Sequence, residues 1–132
     1  GLVTSGLYKK AMPEIISAFR TLNMGDPVDF YDAIITAGYP LGKGMVGTLG
    51  ELAPKPHPWL YAETMRVGLG IPFERRNHVI GIEDSSAGIV SLRLAGVSAI
   101  GMKDGNIAEA GVESLCETMV EHLADILAII DG

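Results

Sequence analysis

Two adjacent carboxylates, Glu83 and Asp84, close a short apolar run and open onto a turn of small residues, in the stretch Val79-Ile80-Gly81-Ile82-Glu83-Asp84-Ser85-Ser86-Ala87-Gly88. Val79, Ile80 and Ile82 read as a strand buried on both faces of a parallel sheet. Glu83 and Asp84 fall at its carboxyl end, where open α/β sheets place their ligands. Ser85 and Ser86 are suited to cap a helix that begins there. Two hard oxygen donors at such a point suit Mg²⁺. The plainer alternative is that the pair only caps and solubilises the helix N-terminus. The rest of the chain has to decide between the two.

The bulk of the sequence narrows the classes. Its 132 residues, 48% of them hydrophobic, suffice for one globular domain with a real core. A net charge of −6 and a pI of about 4.9 argue against a nucleic-acid partner, which needs a basic face. A small anionic substrate stays open if a metal and a few cations are placed locally. The single cysteine, Cys116, reads as a core residue of a reducing compartment, and cytoplasmic localisation is expected. No apolar run reaches the roughly 20 residues that span a bilayer, and no signal-peptide pattern is visible, so no membrane partner is expected. The chain starts on Gly1, and Leu2-Val3-Thr4 reads as the tail of a strand already under way. A longer parent chain is therefore expected.

Along the chain, Leu2 to Gly6 reads as a strand end entering a tight turn. Tyr8 to Leu22 has helical spacing at Met12, Ile15, Ile16, Phe19 and Leu22, with a restart expected at Pro13 and an end at Gly25. Ala33 to Thr36 is a second strand. Ala37 to Pro54, with Gly38, Gly42, Gly44, Gly47 and Gly50, reads as loop; its GKGMVG spacing does not match a phosphate-binding GxxxxGK[ST]. Pro54-Lys55-Pro56-His57-Pro58 is rigid and extended. Pro58 opens a helix to about Val67 in which Trp59 packs, and Gly68 and Gly70 close it. A helical turn over Phe73–Asn77 precedes the central strand. The helix after Gly88 runs to Gly96, a C′ glycine. Val97–Met102 is a strand, Ile107–Gly111 one helical turn and Glu117–Val120 an edge strand. Leu123, Ile126, Leu127 and Ile130 mark a terminal amphipathic helix. This alternation of strand and helix predicts an α/β fold, a Rossmann-like parallel sheet with right-handed crossovers.

Three features then stand in order: a hydroxyl at a strand end (Thr4), a lysine clamped between prolines (Lys55), and the acidic pair Glu83-Asp84. Alone, a strand-end threonine is usually structural and a lysine usually solvated. Jointly they suit phosphoryl transfer, which rests on positioning and charge stabilisation. A hydroxyl with backbone N–H groups holds phosphate oxygens, a fixed lysine neutralises their charge, and carboxylate-held Mg²⁺ bridges phosphate and protein.

This order and wording resemble the haloacid dehalogenase (HAD) superfamily, over essentially the whole chain. Leu2-Val3-Thr4-Ser5 resembles the family's second motif. Ala53-Pro54-Lys55-Pro56 resembles the third, and Gly81 to Gly88 the fourth and most specific. Its EDSSAG is close to the form in phosphatases and sugar-phosphate mutases similar to β-phosphoglucomutase. The resemblance implies that Thr4 binds the transferring phosphate with Ser5 beside it, and that Lys55 bridges phosphate and nucleophile. It implies that Glu83 and Asp84 bind Mg²⁺ and that Ser85 supports the metal shell. His57 sits at a position that varies in the family and reads as loop structure.

One departure is serious. The family's first motif, Asp-x-Asp on an early strand, supplies the nucleophile and the general acid/base and is absent here. Asp26 and Asp29 have the wrong spacing, and Asp104 comes in the wrong order. In the family that strand lies between those ending at Thr4 and Glu83, so its loss exposes unpaired edges. The expectation is that residues 1–132 form a partial HAD-like core lacking its N-terminal strand and cap, both lying upstream of residue 1. Ala37–Pro54 is too short to hold a cap. The resulting function is a Mg²⁺-dependent phosphohydrolase of small phosphorylated metabolites acting through an aspartyl-phosphate, with this portion inactive alone. A sugar phosphomutase shares every motif seen. A non-catalytic HAD-like binding domain is a different class, kept open by the missing nucleophile. A dehalogenase lacks the acidic pair, and a receiver domain carries its acids first and its lysine last.

Overall fold

The computed structural model describes residues 1–37 and 54–131. The expected glycine-rich loop therefore lies, from residue 38 to 53, outside the described residues. The chain divides into two compact units, Gly1–Pro54 with Trp59–Phe73, and Lys55–Pro58 with Glu74–Gly132. Both are α/β with parallel strands flanked by helices. Among the described residues the strands form two parallel ladders, one of two strands in the first unit and one of three in the second.

In the first unit, β1 (Leu2–Leu7) pairs in parallel with β2 (Ile34–Ala37). Pairing is regular through Thr4↔Thr36, then shifts before Leu7↔Ala37. The tight turn expected after Thr4 is thus a bulge within a longer strand. Helix α1 (Tyr8–Thr21) buries Ala11, Met12 and Phe19. It runs unbroken through Pro13, contrary to the expected restart, so burial of that apolar face outweighs the backbone hydrogen bond a proline removes. Asp26 caps the short α2 (Pro27–Phe30), its Oδ1 accepting from Val28 N at 2.9 Å. This seats Phe30 edge-on to Phe19, with ring centroids 5.5 Å apart. Helix α3 (Trp59–Glu63) widens into a π-helical turn over Thr64–Gly68, where Leu69 N reaches back to Thr64 O at 2.8 Å. Thr64 starts that turn and returns its hydroxyl to Leu60 O at 2.7 Å. Trp59 is only half-buried.

In the second unit, a 3₁₀ turn (Phe73–His78) leads into β3 (Ile80–Glu83), and the strand order is β3-β4-β5, all parallel. Helix α4 (Ser86–Leu94) follows β3 and ends with Gly96 at φ +80°, the expected C′ glycine. Strand β4 (Ser98–Met102) is central, and β5 (Thr118–Val120) is an edge. The expected turn near Ile107 forms, with Ala110 N on Asn106 O at 3.0 Å. The core joins Ile89 and Leu92 of α4 to Val97, Ala99 and Ile107, and a cluster of Ile100, Met102, Val120 and Ile126. Of the apolar positions expected to line the terminal helix, α5 (Asp125–Asp131), only Ile126 is buried.

Strand β3 departs from expectation. It pairs only with β4 among the described residues, and Ile80 and Ile82 are 48% and 42% exposed. The pleat explains this. Alternate side chains face opposite ways. A Cβ on Gly81 would strike the Leu92 side chain at 2.2 Å, so Gly81 and Glu83 face α4. Ile80 and Ile82 face the other side, which α4 does not cover. No helix among the described residues is long and apolar enough to cross a membrane.

Candidate active site

The carboxyl end of β3 points Glu83 under the first turn of α4. A Cβ at position 88 would lie 2.0 Å from Glu83 Cδ, so glycine opens the space that the carboxylate fills. Glu83 is 7% exposed there. A carboxylate this buried needs a countercharge. The Lys55 ammonium provides it, donating to Glu83 Oε1 across 28 residues of sequence. Lys55 is itself 11% exposed. The second oxygen, Oε2, lies 3.4 Å from Ser85 Oγ, which also caps α4 by accepting from Gly88 N at 3.0 Å. The N-terminal end of α4 further favours negative charge at this point.

Asp84 is exposed, and its main chain is fixed from the loop after β4. Asn106 N donates to Asp84 O at 3.2 Å, and Asn106 Oδ1 accepts from Ser86 N at 2.8 Å. The loop holding Lys55 is fixed as well: Ser91 Oγ donates to the His57 carbonyl at 2.7 Å. His57 thus contributes its carbonyl oxygen to this anchor.

The structure thus brings Lys55, Glu83 and Ser85 into contact, with Asp84 adjoining. Thr4 and Ser5 belong to the first unit. Thr4 is the last regularly paired residue of β1, and its Oγ1 accepts from Gly6 N at 3.1 Å, holding the bulge. An open cleft of about 360 Å³ in that unit, lined by Tyr8, Met12, Tyr31 and Asp32, contains none of the candidate site residues Thr4, Ser5, Lys55, Glu83, Asp84 and Ser85.

Sequence reasoning missed Ser91 and Asn106. Ser91 did carry a signal, a hydroxyl on the apolar side of a helix between Ile89 and Leu92. Asn106 sits in an aperiodic turn, where nothing in a single sequence distinguishes it. Of the two candidate metal donors, Asp84 is exposed and carries hard oxygens of the kind Mg²⁺ takes, whereas Glu83 is buried with Oε1 on Lys55 and Oε2 facing Ser85. That ion keeps several waters and takes further oxygens from a bound phosphate. Among the described residues, no group of three or more His, Cys, Asp or Glu side chains is placed to hold a metal.

No family model and no curated protein matches the chain. Among solved structures it is similar to a conserved haloacid dehalogenase-like protein of unknown function, ATU0790, from Agrobacterium tumefaciens str. C58. The TM-score is 0.50 at 21% identity, over 75% of this chain and 53% of that one. The likeness shows a HAD-like, Rossmann-type fold, and the chain spans about half the length of that protein.

Proposed function

We propose that the full-length protein is a Mg²⁺-dependent phosphohydrolase of the HAD type, acting on small phosphomonoesters such as sugar phosphates. The observation that supports this best is the Lys55–Glu83 pair at the carboxyl end of β3, beside an exposed Asp84. A lysine fixed against a buried carboxylate has its position set before any substrate arrives, which is what electrostatic stabilisation of phosphoryl transfer requires. Glu83 and Asp84 would hold the metal, Thr4 and Ser5 the phosphate oxygens, and Lys55 would neutralise their charge. Bound Mg²⁺ would supply charge neutralisation on the phosphate.

The nucleophilic aspartate and the cap belong, in this reading, to a segment upstream of residue 1. The aspartate attacks phosphorus, the ester bond breaks, and the alcohol leaves with a proton from a second upstream acid. Water then hydrolyses the acyl phosphate, returning the carboxylate and inorganic phosphate. Among the described residues β3 pairs on one edge only, and that open edge supports a neighbouring strand of this kind.

The test is release of phosphate from p-nitrophenyl phosphate and a panel of sugar phosphates. The full-length protein is expected to turn over with Mg²⁺ and stop on chelation, and residues 1–132 alone to be inert. Lys55→Met is expected to lower kcat by about 10²-fold or more. Turnover that survives chelation, or turnover by residues 1–132 alone, would overturn the reading.

A further inference from the structure

The polar group on α4 least explained by the fold is Ser91. It is fully buried, among Ile89, Leu92 and the rest of the second unit's core. A serine there loses its hydration, and only a hydrogen bond offsets that loss. Most buried helical serines could return the hydroxyl to the carbonyl one turn earlier. Ser91 instead reaches a carbonyl 34 residues away, His57 O, at 2.7 Å. His57 lies two residues from Lys55, in a segment that prolines at 54, 56 and 58 make stiff. A stiff segment held at one point is held along its length.

We propose that Ser91 is a positioning residue: its buried hydroxyl anchors the His57 carbonyl to α4 and thereby places the Lys55 ammonium on Glu83. Three contacts then share one helix. Ser85 caps it and touches Glu83, Gly88 gives the carboxylate room, and Ser91 ties down the lysine loop. Both halves of the ion pair are set by α4, one through the space it leaves and the other through the bond it donates. The meaning of this placement for catalysis rests on the phosphohydrolase reading, but the placement itself does not.

The experiment measures side-chain order at lysine Cε by ¹³C relaxation in the full-length protein, which requires no turnover. Lys103, 54% exposed in a longer surface ion pair with Glu121, is the internal reference. In the parent, Lys55 is expected to be markedly more ordered than Lys103. Ser91→Ala is expected to close most of that gap. Ser91→Thr, which keeps the hydroxyl, is expected to restore at least part of it. Ile89→Val trims the same helix without touching His57 and is expected to leave Lys55 ordered. Glu83→Gln is expected to free Lys55 whatever Ser91 does. The proposal is overturned if Lys55 keeps its order in Ser91→Ala, or if Ile89→Val loosens it equally. It is also overturned if Lys55 is no more ordered than Lys103 in the parent. An inactive full-length protein with these order changes intact would remove the phosphohydrolase reading and leave the placement standing.

Discussion

At the scale of single residues, small side chains matter here for the room they leave. Gly88→Ala would drive a methyl group into the Glu83 carboxyl. The carboxylate has to leave its pocket or the helix has to shift, either at a cost of about 1–3 kcal/mol. Chemical denaturation should show that loss, and a crystal structure of the variant should show Glu83 displaced from Lys55. Cys116 gives a second residue-level expectation. Burial pushes its thiol up from the ordinary value, the Glu113 carboxylate adds to this, and Arg93 opposes it. The thiol is therefore protonated at neutral pH, and iodoacetamide should alkylate it more slowly than free cysteine, with the rate rising as the solution is made alkaline. The acidic pair was legible in the sequence because adjacent carboxylates after an apolar run are a chemical oddity. Ser91 and Asn106 were less legible, because their bonds span 34 and 20 residues and a polar side chain's type does not say which distant group it meets.

Elements were legible where periodicity and caps agreed. Helix α4 shows both, with Ser85 at its N-cap and Gly96 just past its end. Helix α1 departs from its sequence pattern at Pro13, where the apolar stripe carries the helix through despite proline's local preference to start one. The cost of that proline should be recoverable. Pro13→Ala restores a main-chain donor in an α1 that needs no rearrangement, and it is expected to raise stability by about 1–3 kcal/mol. A higher urea midpoint with unchanged slope would check it. The π-helical turn after α3 could not be anticipated. Thr64 starts it, yet threonine is common in ordinary helices, and the widened turn depends on how Met65 and Gly68 fit their own unit.

Across the whole molecule, the α/β class followed from strand–helix alternation, and the register of pairing within each ladder did not. Strand pairing is non-local, and a single sequence read in order carries no pairing information. The exposed side of β3 gives the prediction that belongs at this scale. Ile82→Lys should change the stability of residues 1–132 by no more than about 0.5 kcal/mol, as surface substitutions do. In a longer chain whose upstream segment packs over that face of the sheet, it should cost several times more. Equal effects in both would argue against a covering segment. The pleat of β3 also has an evolutionary consequence. Its residues read Ile-Gly-Ile-Glu, and the parity of that count decides which way the charge faces. A one-codon insertion or deletion inside the strand would reverse it, turning the carboxylate outward and setting an isoleucine against the lysine. Homologues of this chain can therefore lengthen the loops on either side of β3, but inside the strand they can vary its letters and not its length.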